Sequence, residues 1–99
     1  MEGDKMGSGG VPNRRIEMSY ERNLPRIGKP NSRTDRYKNG IKVQSRWYDK
    51  NGRAERNRDY SHQDAHNNHD FPHDHKWDWD EKNGQRDQTP LAPDYDNYN

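Results

Sequence analysis

The chain of 99 residues is long enough for one small domain, and it carries a formal net charge of +1 at pH 7. Ile, Leu, Val and Phe number only eight, far below the fifth of a chain at which disorder becomes the expected state. The length and composition exclude a large enzyme core, a Rossmann or barrel fold and a membrane-spanning helix, which needs roughly 20 apolar residues in a row. The absence of cysteine excludes disulfides, zinc–cysteine sites and thiol catalysis.

The two ends of the chain are predicted to be disordered, and a small β domain is predicted to occupy residues 24–84. Residues 1–23 begin with a Gly- and Ser-rich stretch and show no regular alternation of apolar and polar side chains, which is typical of a linker. Residues 85–99 combine prolines with repeated Asp, Asn and Tyr, and this composition is typical of a mobile tail.

Three Lys-Asn-Gly triplets, at residues 38–40, 50–52 and 82–84, are predicted to be turns between short strands. Asn-Gly readily adopts the positive φ that tight hairpins require. The segment 41–48 between the first two triplets alternates in character and is predicted to be a strand. The predicted fold is mostly β, a small antiparallel meander with an aromatic core.

The hairpin around the second triplet has two possible registers. A two-residue Asn-Gly turn would pair Val43 with Tyr60, and a four-residue loop ending at Gly52 would pair Tyr48 with Arg53. The second register is favoured because it creates three favourable cross-strand neighbours: Arg46 with Glu55, Lys42 with Asp59, and Trp47 with Ala54.

A third strand is predicted over residues 71–79, where all aromatic rings fall on one face. Alternation along a strand places successive side chains on opposite faces. The predicted ring-bearing face contains Phe71, His73, His75, Trp77 and Trp79.

All five histidines fall between residues 62 and 75, and this cluster is the strongest functional signal in the sequence. Two imidazoles could serve as base and acid in RNA cleavage without a cofactor, because the pKa of imidazole lies near neutrality. Alternatively, a divalent metal such as zinc could be bound by His73 and His75. His69 or His62, together with Asp59 or Asp70, could complete this site. A third interpretation is that the histidine-rich stretch is partly a polar loop and partly core. His73 and His75 would then be expected to pack, with the other rings of their strand face, against the Trp47 face of the hairpin.

Cationic and aromatic side chains of the predicted strands are candidates for contact with RNA. Guanidinium groups can stabilise charge on a phosphate, and aromatic rings can stack on bases. Residues 1–60 carry 15 basic and 8 acidic side chains, and residues 61–99 carry 3 and 9. The basic half could therefore contact RNA, or the two halves could neutralise each other. The predicted RNA-contacting residues are Arg53, Arg56, Arg58, Tyr48, Trp77 and Trp79.

Three stretches carry a resemblance to a known family. They are Gly-Lys-Pro-Asn-Ser at 28–32 followed by Asp35, Arg-Trp-Tyr-Asp-Lys-Asn-Gly-Arg-Ala at 46–54, and Asp-Tyr-Ser-His at 59–62 leading to His-Asp-Phe-Pro-His-Asp-His-Lys-Trp at 69–77. In this order they resemble the small C-terminal toxin domains of bacterial polymorphic toxin systems. The resemblance spans about residues 24–79, and its most specific part is the last run.

The resemblance implies a mostly β ribonuclease that acts in bacterial competition and is neutralised by a cognate immunity protein. It implies export or delivery into a target cell as part of a larger secreted or phage-associated protein, or a cytoplasmic location for a stand-alone protein. The alternative function is a non-enzymatic module of phage or secretion-associated origin that binds nucleic acid or metal. The catalytic positions that the resemblance implies are His62, His69, His73 and His75, with Arg46 and Asp59 in support.

Overall fold

The computed structural model describes residues 14–60 and 72–99, which form a sheet of six strands. The strands are β1 (Arg15–Ser19), β2 (Ser32–Lys38), β3 (Ile41–Tyr48), β4 (Ala54–Asp59), β5 (His73–Trp79) and β6 (Gly84–Arg86). They lie side by side in chain order, with β1 parallel to β2 and every later neighbour antiparallel. The predicted mostly β fold is confirmed, although the sheet is mixed because about a dozen residues between β1 and β2 cross back to bring these strands into the same direction.

The first two Lys-Asn-Gly triplets form turns between neighbouring strands, as predicted. Between β2 and β3, Asn39 and Gly40 have φ values of 52° and 80°, the combination of a two-residue hairpin turn. Between β3 and β4, Gly52 has a φ of 79°, and the side-chain oxygen of Asp49 accepts hydrogen bonds from the amides of Asn51 and Arg53. Local turn chemistry therefore sets both hairpin ends.

The register of the β3–β4 hairpin differs from the one that the sequence favoured. The amide of Tyr60 donates to the carbonyl of Val43 at 3.1 Å, so the alternative register is correct over the body of the hairpin. The favoured register, which paired Tyr48 with Arg53, is wrong. A β-bulge between Trp47 and Tyr48 shifts the pairing by one residue near the loop, which a comparison of cross-strand pairs in a regular ladder does not anticipate.

The histidines of β5 lie on the face of the sheet opposite to Trp47, which corrects the expectation that they pack against it. In the observed register His73 pairs with Asp59 and His75 with Asn57, whereas Trp47 pairs with Arg56, a neighbour of Asn57 on β4. Because neighbouring residues of a strand point to opposite faces, the sheet has two distinct sides. We call them the histidine face, with Arg46, Asn57, Asp59, His73 and His75, and the arginine face, with Trp47, Arg56, Arg58 and Asp74.

The interior of the sheet is mostly polar, which differs from the predicted aromatic core. Among the described residues eleven polar or charged side chains are buried, against five apolar ones. Trp47 and Tyr48 are fully buried, but Trp77 and Trp79 are only half-buried. The buried polar groups must find partners inside the protein, and their hydrogen bonds and ion pairs determine where functional groups are held.

The described parts of both ends contact the sheet, which differs from the predicted disorder there. Strand β1 lies within the stretch predicted to be a linker. At the other end, Leu91 and Asp74 exchange two backbone hydrogen bonds of 2.8 Å, and the ring of Tyr98 lies 5.6 Å from that of Trp47. These contacts are long-range, so local composition does not reveal them.

No helix in residues 14–60 and 72–99 is long and apolar enough to cross a membrane.

Candidate functional site

Three ionisable side chains converge on the histidine face where β4 ends and β5 begins. The antiparallel register sets His73 opposite Asp59, and His75 follows two residues later on the same face. The Nε2 atom of His73 lies 3.3 Å from Oδ2 of Asp59, and Nε2 of His75 lies 3.8 Å from the same oxygen. We call Asp59, His73 and His75 the Asp–His centre; it brings together three of the predicted site residues.

Neighbouring groups fix the orientation of two members of the Asp–His centre. The side-chain amide of Gln44 donates to Oδ1 of Asp59 at 3.1 Å, which leaves Oδ2 directed towards the histidines. The Nδ1 atom of His75 lies 2.8 Å from the backbone carbonyl oxygen of Asp87. Because a carbonyl can only accept, Nδ1 carries the proton of the neutral ring and Nε2 carries the lone pair.

Burial keeps the imidazole of His75 in its neutral form over a wider pH range. It lowers the pKa of His75 because the charged form loses hydration, and the cation of Arg86 acts in the same direction. The hydrogen bond to the carbonyl of Asp87 and the carboxylate of Asp59 oppose this shift without cancelling it. At neutral pH, His75 therefore presents a lone pair at Nε2, as required of a general base or a metal ligand.

The predicted catalytic residue Arg46 lies beside the Asp–His centre, but its guanidinium group is hydrogen-bonded to other parts of the protein. Its Nε donates to the side-chain oxygen of Asn57 at 2.7 Å, and its Nη1 donates to the carbonyl oxygens of Leu24 and Pro25. Burial lowers the pKa of Arg46. Its guanidinium carbon lies 4.8 Å from the ring centre of Trp77, within cation–π range. Arg46 thus supports the histidine face through Asn57, which pairs with His75 across the strands.

Two arginines predicted to contact RNA, Arg56 and Arg58, are buried on the arginine face. Their Nε atoms donate to the carboxylate of Asp74 at 2.8 and 2.7 Å. The guanidinium of Arg58 also lies 4.8 Å from the ring of Trp47. This placement differs from the predicted contact with RNA, because β4 is an inner strand of the sheet with neighbours on both sides.

Of the other predicted RNA-contacting residues, the two tryptophans of β5 and Arg53 are the more accessible. Trp77 and Trp79 are stacked with ring centres 6.3 Å apart, and the guanidinium of Arg53 lies 5.1 Å from the ring of Trp79. Tyr48 is fully buried, and its hydroxyl donates to the carbonyl oxygen of Pro25 at 2.6 Å. A cleft of about 530 Å³ lies beside Trp79 and is lined by Arg26, Asp78, Asp80, Asn83, Gly84 and Gln85.

Two predicted catalytic residues, His62 and His69, lie outside the described residues, and so does Phe71. Conversely, three residues that surround the Asp–His centre were not predicted from the sequence: Gln44, Asn57 and Asp87. Strand alternation placed Gln44 and Asn57 on the face of Asp59, so a signal for these two was available. Asp87 contributes its backbone carbonyl, which nearly any residue type would provide.

The ligand atoms of the Asp–His centre are of the kinds that bind a transition metal. One carboxylate oxygen and two imidazole nitrogens lie within 4.8 Å of one another, and all three residues are buried. Imidazole and carboxylate are common ligands of zinc and related divalent ions. The same groups can also transfer protons.

Comparison with known proteins identifies no relative of this chain. No protein-family model matches it, and no curated protein or solved structure matches it. The assignment of the candidate site therefore rests on the geometry of Asp59, His73 and His75 alone.

Proposed function

We propose that this domain is a toxin-like ribonuclease whose catalytic centre is the Asp–His centre. The observation that carries the proposal is the convergence of the Nε2 atoms of His73 and His75 on one carboxylate oxygen of Asp59, at 3.3 and 3.8 Å. A pair of imidazoles beside a carboxylate supplies the groups that phosphodiester cleavage needs. All three side chains project from two adjacent strands, whose hydrogen bonding holds them in place.

The Asp–His centre can promote RNA cleavage by either of two routes. When the 2′-hydroxyl attacks phosphorus, the P–O5′ bond breaks, one group accepts the 2′ proton and another protonates the 5′ oxygen. Without a metal, Nε2 of His75 would accept the 2′ proton, and His73 beside Asp59 would supply the proton for the 5′ oxygen. With a metal, the same three residues would hold a cation that draws charge from the phosphate. A chelator separates the two routes.

The accessible part of the histidine face supports RNA as the substrate. Trp77 and Trp79 are half-buried, and the cation of Arg53 lies over the ring of Trp79. Nucleic-acid-binding surfaces combine cations, which attract phosphates, with aromatic rings, which contact bases. We assign the RNA contact to Arg53, Trp77 and Trp79, and we do not extend this role to the buried Arg56, Arg58 and Tyr48.

The toxin part of the proposal derives from the resemblance of residues 24–79 to polymorphic toxin domains. It includes delivery into a competing bacterial cell as part of a larger protein, and a cognate immunity protein as the partner. Gly28 belongs to the first resembling stretch, and a methyl group there would lie only 2.8 Å from the ring of Tyr48, in the second stretch. These motif residues thus pack against each other, which gives them a structural reason to occur together.

The test of this function is incubation of the purified chain with labelled RNA and with DNA of the same sequence, with and without EDTA. Wild type is expected to cleave RNA and leave DNA intact. The H75A variant is expected to lose at least about a hundredfold in rate, the contribution of one proton-transfer group. The matched control is H66A, which removes a histidine that is not assigned to the centre. Intact RNA under both conditions, or equal rates for wild type and H75A, would refute the proposal.

A second candidate is a non-enzymatic module that binds nucleic acid and metal. The observation that favours it is burial, because Asp59, His73 and His75 are only 8, 6 and 6% exposed. A small ion can enter such a site more easily than a phosphodiester. This candidate is expected to bind RNA in a salt-dependent manner without cleaving it. Salt-dependent retention of labelled RNA together with intact product would favour it over the ribonuclease.

A further inference from the structure

We propose that Asp59, His73 and His75 bind one divalent transition-metal ion of the zinc class through Oδ2 and the two Nε2 atoms. The inference goes beyond ribonuclease activity, because a metal at this position can fasten β4 to β5 whether or not it takes part in catalysis. Four observations support it: the distances between the ligand atoms, the direction of their lone pairs, the hydrogen-bond partners around them, and their chemical type.

The distances within the Asp–His centre are close to those of a tetrahedral zinc site. Zinc lies about 2.0–2.2 Å from imidazole nitrogen and carboxylate oxygen, so neighbouring ligand atoms of a tetrahedron are about 3.4 Å apart. Oδ2 of Asp59 lies 3.3 Å from Nε2 of His73 and 3.8 Å from Nε2 of His75. All ligand atoms lie within 4.8 Å of one another. Shifts of a few tenths of an ångström to about one ångström would complete three corners of the tetrahedron.

The direction of the lone pairs points to a cation between these atoms. The proton of His75 is directed from Nδ1 to the carbonyl oxygen of Asp87, so its Nε2 faces Asp59 as an acceptor. Oδ2 of Asp59 is also an acceptor. These two acceptors lie 3.8 Å apart, and a metal ion coordinated by both would replace their mutual repulsion with attraction.

The partners around the Asp–His centre are those that commonly surround metal ligands. A histidine that binds metal usually donates its other ring N–H to a carbonyl or carboxylate, as His75 does to Asp87. Coordinating carboxylates are usually hydrogen-bonded as well, and Gln44 donates to Oδ1 of Asp59 at 3.1 Å. These two contacts orient Nε2 and Oδ2 towards the same point, so the ligands are arranged before an ion binds.

The chemical type of the ligands selects the class of metal. Magnesium and calcium prefer sites built wholly from oxygen, whereas two imidazoles and one carboxylate suit zinc, cobalt or iron. Three protein ligands leave a fourth position, which in zinc enzymes is taken by water or substrate. A phosphate oxygen is therefore the ligand that this position would accept during RNA cleavage.

The test is equilibrium dialysis of the full chain, first freed of metal with EDTA, against zinc alone and cobalt alone. Wild type is expected to bind about one ion per chain and to show the absorption bands of tetrahedral cobalt. The D59N variant is expected to bind at least about tenfold more weakly, because it removes a charged ligand. Its matched control is D35N, a buried aspartate whose carboxylate accepts a hydrogen bond from Ser45. D35N is expected to bind zinc as wild type does.

Zinc could also be bound by other histidines of the chain, namely His62, His66 and His69. The comparison of zinc affinity between wild type and the variants therefore decides whether the Asp–His centre is the site. H75Q is a second variant in case D59N does not fold, and far-UV circular dichroism monitors folding of both. Absence of binding to wild type, or equal affinity in wild type and the folded variants, would overturn the site. RNA cleavage in the presence of EDTA, together with zinc binding that D59N weakens, would support an ion with a structural role and leave the ribonuclease intact. Zinc binding with intact RNA would refute only the ribonuclease.

Discussion

At the level of single residues, the arginine face depends on one carboxylate. Asp74 is fully buried and accepts hydrogen bonds from Nε of Arg56, from Nε and Nη2 of Arg58, and from the amide of Asp94. These contacts join β4, β5 and the C-terminal segment. A buried ion pair of this kind need not stabilise more than an apolar core would, but removing one partner leaves a buried charge uncompensated.

Replacement of Asp74 by asparagine is therefore expected to lower the free energy of unfolding by about 3–5 kcal/mol. Urea denaturation measures this decrease in the free energy of unfolding. A D74N chain that does not fold at all would also agree with the prediction. The matched control is D78N on the same strand, where the side chain is exposed and the expected change is within about 0.5 kcal/mol. Equal unfolding midpoints for D74N and D78N would show that Asp74 does not hold this face together.

The residues of the Asp–His centre could be predicted from the sequence, whereas the ion-pair partner of Arg56 and Arg58 could not. The clustering of histidines singled out His73 and His75, because their density in the sequence is visible without any fold. The burial of Arg56 and Arg58 was not visible, because an arginine that pairs with a distant carboxylate looks the same in sequence as one that faces solvent. Only the β4–β5 register brings Asp74 to them.

At the level of the elements, two glycines with the same backbone conformation have different surroundings. Gly40 has a φ of 80° with no atom within 4 Å of an added methyl group. Gly52 has a φ of 79°, but its methyl group would lie 2.5 Å from the carbonyl oxygen of Gly28. The amide of Gly28 donates to the carbonyl of Gly52 at 2.8 Å, so this hairpin end is packed against the preceding loop.

Alanine at these two positions is therefore expected to have unequal effects. G40A should cost about 1–2 kcal/mol, the penalty of a left-handed conformation for a residue with a Cβ atom. G52A should cost more, because the backbone of residue 28 must also move. Thermal unfolding of both variants measures the difference. A G52A midpoint equal to or above that of G40A would contradict the packing of this loop on the hairpin.

The elements that could be predicted are those with a local signal. Asn-Gly identified the turn at 39–40, and alternation identified β3. Strand β1 was missed because it is five residues long and pairs with β2 across a long connection. The predicted register of β3 with β4 was wrong because a bulge between Trp47 and Tyr48 shifts the pairing by one residue, and no residue type there indicates a bulge.

At the level of the whole molecule, the scarcity of aliphatic residues is matched by a polar interior. The sequence predicted a mostly β fold correctly, but it predicted an aromatic core where arginines, aspartates and histidines are buried. Arg56 and Arg58 from the basic half pair with Asp74 from the acidic half. This ion pairing agrees with the interpretation that the basic and acidic halves of the chain neutralise each other. The proposed contact with RNA is therefore assigned to Arg53, Trp77 and Trp79.

In the proposed function the Asp–His centre cleaves RNA, and single-turnover cleavage by D59N, compared with D35N, is the most direct test of this role. Both variants remove the charge of a buried aspartate, but only Asp59 touches the histidines. With protein in excess over labelled RNA, D59N is expected to be at least about a hundredfold slower than wild type, since both routes lose their carboxylate. D35N, where folded, is expected to retain the wild-type rate. A folded D59N that cleaves RNA as fast as D35N would contradict the assignment.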